Sequence, residues 1–254
     1  MSLIYSELSQ KIKRLFYRRK VVVAPKYNFL SDKIASLPEF FLSDEGRVIY
    51  QKRNTLRQFR WDDVSVVVKA FAKPNFIQRL IYGVFRSSKA QRSFEYASLL
   101  RRNGIGSPEP IAYVTERYGM FFCYGYYACL TSECRNSYMD LLLPDFPHRE
   151  EILQTVARVA ATMHEKGFYH TDFSRGNILF RYSDDGINME IIDLNRIRFR
   201  KVDMDAGCRN FDRLPGNPEI FRIMADAYAT ARGFDADECF RLIQKYNSPK
   251  YTAV

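Results

Sequence analysis

Apolar and polar residues alternate from about residue 40 to residue 71, in the three runs "GRVIYQKRN", "LRQFRW" and "VSVVVKAF". Alternation with a period of two is typical of strands that bury one face. Polar or acidic residues separate the runs, so the pattern predicts a small antiparallel sheet. Two further strands are expected at "PIAYVTE" and "GMFFCYGYY".

Helical spacing replaces the alternation from about Ser87 to Asn103, and Gly104 follows where glycine commonly ends a helix. A second helix is predicted in "REEILQTVARVAATMHEKG" by its apolar stripe, and a helical tail from about Pro218 to Tyr246. The order of elements predicts an α+β protein with two lobes. A small β-rich lobe with one main helix is followed by a larger α-rich lobe.

Three segments are expected along the chain: a basic, irregular lead-in at 1–38, the β-rich lobe at 39–130 and the α-rich lobe at 131–254. With 254 residues, of which 46% are hydrophobic, the chain can bury a substantial core. Five cysteines without a C-x-x-C pair favour a reducing cytoplasm over a disulfide framework or a zinc ribbon. No apolar run has signal-peptide or membrane-spanning length.

A net charge of +10 indicates anionic partners, such as nucleic acid, phosphorylated small molecules or an acidic membrane face. The basic segments "KIKRLFYRRK" and "KPNFIQRLIYGVFRSSKAQR" can lie on an anionic membrane surface or form a solvated basic face. Nucleic acid ranks below both, because no recognition module accompanies the charge.

A polar stretch, "HTDFSRGNILF", lies immediately before a short apolar strand. It places His170, Asp172 and Asn177 in the spacing H-x-D-x-x-x-x-N. In phosphoryl transfer this spacing lets the Asp accept the proton of an acceptor hydroxyl while the Asn reaches a metal bound to the nucleotide. The alternative is an ordinary polar turn with an Asx-type cap.

Three charged residues extend this hypothesis. Asp193 ends the short strand of "IIDLN" and can hold Mg²⁺ against the phosphates. Lys69 stands among valines and puts a charge on the inner face of its strand, unless it protects a sheet edge. Glu95 is the one acidic residue between Asp63 and Glu109, which predicts that it pairs with Lys69 rather than being a solvated helix residue.

This set of residues, in this order, resembles the protein-kinase-like fold. The stretches "SKAQRSFEYASLLRRNGIGSPEPIAY", "HTDFSRGNILF" and "IIDLNRIRF" more closely resemble the lipopolysaccharide core kinases, which phosphorylate Kdo or heptose sugars with ATP. The resemblance covers about residues 45 to 215. It implies ATP and Mg²⁺ as cofactors, the lipopolysaccharide core or a lipid A precursor as acceptor, and action at the inner face of the cell membrane.

The resemblance also implies a role for each site residue. Asp172 would be the catalytic base, with His170 bracing the loop. Asn177 and Asp193 would be the Mg²⁺ ligands. Lys69 would anchor the phosphates with Glu95 as its partner.

The sequence departs from the kinase pattern at the phosphate loop. Instead of a glycine-rich loop it has "YQKRNTLRQF", where Lys52, Arg53 or Arg57 are candidates for phosphate contact. Leu-Asn rather than Phe-Gly follows Asp193, and Asn195 is expected to tolerate the left-handed backbone of such a turn.

Two alternatives to a lipopolysaccharide kinase stay open. One is a kinase of another acceptor, a protein or a small molecule, and the other is a pseudokinase that binds a partner or membrane without turnover. A cluster of cations after Asp193 favours a small or lipid-linked anionic acceptor: Arg196, Arg198, Arg200 and Lys201.

Overall fold

Two units divide the residues that this computed structural model describes, 16–73 and 87–247. The first unit contains the described residues up to Ser98 together with Glu109–Thr131. The second contains Leu99–Pro108 together with the described residues from Ser132 onward. The first is rich in strands and the second in helices, in the predicted order.

Six antiparallel strands form the sheet of the first unit, in the order β1-β5-β6-β4-β3-β2. All five strands that alternation predicts, β2 to β6, are present. The strands are β1 (Tyr17–Val23), β2 (Arg47–Gln51), β3 (Thr55–Trp61), β4 (Val64–Ala70), β5 (Pro110–Tyr118) and β6 (Phe121–Leu130).

The prediction of an irregular lead-in up to residue 38 is wrong for its described part. Strand β1 pairs with β5, and a 3₁₀ helix (Pro25–Leu30) and the short helices α1 (Ser31–Ala35) and α2 (Leu37–Leu42) follow it. Their apolar side chains belong to the core beneath the sheet. The strand was missed because three consecutive cations, residues 18 to 20, interrupt its alternation at a sheet edge.

The next helix is α3 (Lys89–Arg102). Its residues up to Ser98 belong to the first unit and those from Leu99 to the second. The second unit adds α4 (Arg149–Glu165), α5 (Met204–Arg209), α6 (Pro218–Arg232) and α7 (Ala236–Asn247). Helix α4 packs on α6 and buries the apolar stripe that predicted it. The predicted helical tail is two helices, because Gly233 takes a left-handed backbone after α6.

Two small sheets complete the second unit. One has the strand order β10-β9-β7 and the other pairs β11 with β8. The strands are β7 (Asn136–Ser137), β8 (Phe168–His170), β9 (Ile178–Ser183), β10 (Gly186–Ile191) and β11 (Ile197–Phe199), with 3₁₀ helices at Tyr138–Leu142 and Leu194–Arg196.

None of the helices within residues 16–73 and 87–247 has the length and apolar character that crossing a membrane requires.

Gly106 lets the segment after α3 pass directly against β10. Its carbonyl accepts a hydrogen bond from the Ile191 N–H at 2.9 Å, and a Cβ at this position would lie 1.9 Å from the Met189 carbonyl oxygen. Any side chain here must therefore move backbone, which explains the glycine in "GIGSPEP".

We expect Gly106→Ala to lower the free energy of unfolding by about 3 kcal/mol, because overpacking against backbone cannot be relieved by a rotamer change. Gly104→Ala is the matched control, since no atom lies within 4 Å of its Cβ position and only its φ of +75° opposes the change. Its cost should be about 1 kcal/mol. Urea unfolding of both variants measures the difference, and equal costs would contradict the steric explanation.

Candidate active site

The polar loop, residues 170–177, connects β8 to β9 in the second unit and is tied down by the ring of His170. The Asp172 N–H donates to Nδ1 of His170 at 3.1 Å, so the ring proton is on Nε2, which donates to the Ile192 carbonyl at 3.1 Å. The ring is completely buried, and burial lowers the pKa of His170. A neutral histidine thus joins the loop to the residue before Asp193.

A chain of buried polar side chains supports His170 from the helices. Asn210, at the end of α5, donates to the His170 carbonyl at 2.9 Å, and its amide oxygen accepts from Nε2 of His164 on α4 at 3.0 Å. Nδ1 of His164 in turn accepts from the Tyr228 hydroxyl of α6 at 2.9 Å. These three side chains are at most 5% exposed, so their hydrogen bonds have no competition from solvent.

Gly207 makes room for this chain. A Cβ there would lie 1.9 Å from the Tyr228 hydroxyl oxygen and 3.3 Å from Nδ1 of His164. The sequence analysis did not identify Gly207 or the three side chains of the buried chain, because these four residues are dispersed along the sequence and follow no motif. The sequence feature that could have pointed to the buried chain is His164, a polar residue directly after Met163 at the end of the apolar stripe of α4.

Asn177 lies where the β9–β10 hairpin opens. Its carbonyl accepts from the Ile192 N–H at 3.0 Å, which continues the ladder one step beyond the Ile178–Ile191 pair. Its side-chain amide donates to the Asp172 carbonyl at 2.8 Å, so the amide nitrogen points into the loop. The described residues supply no hydrogen-bond donor to the amide oxygen.

Asp193 follows two residues after β10, at the same end of the hairpin. Its own backbone is left-handed (φ 57°, ψ 41°), whereas Asn195, expected to take that conformation, lies in the 3₁₀ helix. Asp is among the residues that tolerate φ > 0 best. Asn195 Nδ2 donates to its Oδ1 at 2.8 Å, and Arg196 Nε is 3.6 Å from its Oδ2.

The oxygens of Asn177 and Asp193 fit Mg²⁺. They are hard ligands at one end of one hairpin, and Mg²⁺ in phosphoryl-transfer sites usually takes only one or two protein carboxylates besides substrate phosphates and water. The assignment of these two residues as metal ligands stays a prediction.

Asp172 forms an ion pair that the sequence analysis did not identify. Its Oδ1 is 2.7 Å from Nη1 of Arg213, which is 41 residues away in sequence. Backbone pairing between Ser174 and Arg213 brings the two segments together. The second carboxylate oxygen of Asp172 accepts no hydrogen bond within the described part of the chain.

Lys69 belongs to the first unit and lies on the α3 face of its sheet. Val66 and Val68 contribute to the core on the other face, while Lys69 stands opposite Tyr127 of β6. Tyr127 is in turn opposite Tyr113, whose ring packs on Phe94 of α3 at 5.5 Å between centroids. The charge is therefore on the sheet face that carries α3, and β4 is an inner strand of the sheet, which excludes the alternative that Lys69 protects a sheet edge.

Glu95 follows Phe94 on α3 and is exposed. Its carboxylate accepts a hydrogen bond from the Gln91 side chain at 2.8 Å. Among the ion pairs of residues 16–73 and 87–247, none joins Lys69 to Glu95. The pairing stays a prediction.

Lys52 and Arg53 are exposed at the tip of the β2–β3 hairpin, in the position of the missing glycine loop. The tip is anchored by Asn54, whose side-chain oxygen accepts from the Ala72 N–H at 3.1 Å. Both cations are placed to reach an anion in solvent, and their role in phosphate contact stays a prediction.

Arg57 is not a candidate for phosphate contact. Its side chain is buried and donates to the carbonyls of Phe40 (3.3 Å) and Glu45 (2.9 Å), and it pairs with Asp44. It fixes the turn between α2 and β2. The side chain points inward because alternate residues of a strand face the same side of the sheet. Arg57 therefore shares the buried side with Phe59 and Trp61.

Residues 11–15 and 74–86 of the two basic segments lie outside the described residues. The cluster of cations after Asp193 lies within the described residues. Its side chains are all exposed on and beside β11, next to the half-exposed ring of Phe199: Arg196, Arg198, Arg200 and Lys201.

Two solved structures of low sequence identity are similar to this protein in fold. One is described as WaaP in complex with acyl carrier protein (TM-score 0.59, 16% identity, covering 90% of this chain and 97% of that chain). Another is the microcompartment-associated aminopropanol kinase (TM-score 0.51, 12% identity, covering 82% and 85%). The predicted two-lobed, protein-kinase-like fold is confirmed.

A family model gives the particular family. The lipopolysaccharide kinase (Kdo/WaaP) family matches residues 60–246, more than half of the chain. The chain belongs to this family, whose members are phosphotransferases acting on a sugar hydroxyl. A search of curated proteins finds no significant match.

The buried chain predicts a pH dependence of stability. Burial lowers the pKa of His164 from 6.5 to about 4, so the unfolded state binds its proton first as the pH falls. The stability due to neutral His164 is complete above pH 6.5 and is lost between 6.5 and about 4, by about 3 kcal/mol in total.

In His164→Gln, which keeps a donor and an acceptor, we expect a shallower fall in the free energy of unfolding over this pH range. His148→Gln is the matched control, because His148 is half exposed. Chemical unfolding at pH 7.5, 6 and 5 measures both slopes. The same slope in wild type and His164→Gln would rule out the explanation.

Proposed function

We propose that this lipopolysaccharide kinase uses ATP and Mg²⁺ to phosphorylate a sugar hydroxyl of the inner core, on Kdo or heptose. The observation that carries the proposal is the arrangement of the polar loop. Asp172, Asn177 and Asp193 stem from one short hairpin and loop. The buried ring of His170 connects the Asp172 N–H to the carbonyl of Ile192, the residue before Asp193, and the Ile192 N–H donates to the Asn177 carbonyl.

Asp172 is proposed as the catalytic base. Its Oδ1 is held by Arg213. Oδ2 would orient the sugar hydroxyl and accept its proton as the sugar oxygen bonds to the γ-phosphorus of ATP and the bond from that phosphorus to the leaving ADP breaks. The Asn177 amide donates to the Asp172 carbonyl, so the base and the proposed metal ligand keep one relative position. Positioning of this kind supplies most of the catalysis in phosphoryl transfer.

Asn177 and Asp193 would hold Mg²⁺, which when bound neutralises charge on the transferring phosphoryl group. In the first unit, Lys69 is proposed to hold the nucleotide phosphates, with Glu95 as its partner. Lys52 and Arg53 are proposed to add phosphate contacts from the hairpin tip.

The cytoplasmic face of an anionic membrane is the proposed place of action. The net charge of +10 supports this, together with the exposed cations and Phe199 on β11. Cations of this kind contribute about 1 kcal/mol each near an anionic lipid surface. Cosedimentation with anionic and with neutral vesicles tests it, and equal binding to both would contradict it.

The first experiment is transfer of labelled γ-phosphate from Mg²⁺-ATP to Kdo–lipid A and to a heptose-bearing core. We expect Asp172→Asn to lower kcat at least about a hundredfold, because an amide cannot accept the proton. Asp184→Asn, in the exposed turn between β9 and β10, is the matched control and should keep full activity.

Two outcomes would contradict the proposal. Transfer by Asp172→Asn at the wild-type rate would remove the proposed base. Binding of Mg²⁺-ATP without transfer to either acceptor would favour another acceptor or a pseudokinase.

A second prediction concerns the nucleotide. Lys69→Ala should lower kcat/KM for ATP by about a hundredfold, because it removes the proposed charge-assisted contact between Lys69, on an inner strand of the sheet, and the phosphates. Lys52→Ala and Arg53→Ala should each cost less than about tenfold, because exposed charges act through solvent. Steady-state kinetics at saturating acceptor measures all three, and an unchanged kcat/KM in Lys69→Ala would exclude its role.

A further inference from the structure

We propose that Arg213 determines acceptor specificity by binding an anionic group, a carboxylate or a phosphate, that the acceptor sugar carries beside the hydroxyl to be phosphorylated. The inference rests on the proposed function, because it takes Asp172 as the base that meets this hydroxyl. It adds a residue that the sequence motifs do not contain.

The position of Arg213 is fixed by its neighbours in the chain. Phe211 and Leu214 are completely buried on either side of it, and backbone pairing with Ser174 holds it against the polar loop. The arginine is therefore attached to a rigid part of the second unit, while its side chain is 52% exposed.

The guanidinium group has donors to spare. Nη1 is 2.7 Å from Oδ1 of Asp172, and within residues 16–73 and 87–247 Arg213 makes no second side-chain hydrogen bond or ion pair. Nη2 and Nε are left to form the paired hydrogen bonds by which arginine binds carboxylate or phosphate. An anion bound there would lie within one guanidinium width of the base.

Charge gives the physical reason for a cation at this place. The carboxylate of Asp172 is negative, and an acceptor with its own negative group would be repelled as its hydroxyl approached. Arg213 offsets the repulsion and orients the acceptor at the same time. A neutral acceptor gains neither effect.

Kdo carries a carboxylate, whereas a heptose carries an anion only when it is phosphorylated, so two acceptor pairs distinguish the sources of the anion. The first pair is Kdo–lipid A and its methyl ester, and the second is a heptosyl core with and without a phosphate on the acceptor heptose, at a position beside the hydroxyl to be phosphorylated. Initial rates with wild type and Arg213→Gln give kcat/KM for each acceptor.

With wild type, we expect loss of the anion to lower kcat/KM at least about tenfold in the pair that the enzyme uses, as for other hydrogen bonds between charged groups. With Arg213→Gln, the two members of that pair should differ less than about twofold, because the partner of the anion is missing. The acceptor KM should rise while the ATP KM stays the same. Arg213→Lys should recover part of the preference, and Arg158→Gln, on the exposed face of α4, should behave as wild type.

An equal loss on both members of each pair in Arg213→Gln would overturn the inference, since Arg213 would then act only by orienting Asp172. Equal use of both members by wild type would overturn it as well. If wild type transfers phosphate to none of the four acceptors, the proposed function itself fails and the inference falls with it.

Discussion

The geometry of the polar loop depends on one buried chain of hydrogen bonds that runs from Tyr228 through His164 and Asn210 to His170. The linked side chains are buried, and a buried polar group left unpaired costs about 1–3 kcal/mol. The chain therefore favours one arrangement of α4, α5 and α6 around the loop. The chain requires a neutral imidazole ring at His164, and the bond from the Asp172 N–H requires one at His170; burial lowers the pKa of both rings.

Local patterns predicted most of this fold, because each strand from β2 to β6 and each long helix buries one face of its own sequence. They failed where burial comes from distant parts of the chain. Strand β1 carries three consecutive cations, and its pairing with β5 lies almost a hundred residues away. Alternation within β3 places Arg57 on the face of the buried Phe59 and Trp61, but it could not show the partners of Arg57, which lie at the turn before β2.

The candidate site divides in the same way. His170, Asp172 and Asn177 could be found from their spacing, because a short loop that must hold several groups constrains neighbouring positions. Arg213 and Gly207 could not, because only the folded backbone brings them to the loop. In the turn after β10, the sequence analysis expected the left-handed backbone at Asn195, whereas the structure has it at Asp193. Asn and Asp both tolerate this backbone, so composition alone cannot choose between them.

The backbone of Asp172 is fixed by hydrogen bonds to the interior, whereas its carboxylate contacts a half-exposed side chain. On one side, its N–H and carbonyl are bonded to His170 and Asn177, which the interior of the second unit holds in place. On the other side, its carboxylate meets the half-exposed Arg213. Arg213 takes no part in the buried chain, so its substitution should leave that chain intact, whereas a substitution within the chain should disturb the proposed base and the proposed metal ligands together. If Arg213 has its proposed role, acceptor preference can change at the edge of the site without loss of the geometry that phosphoryl transfer requires.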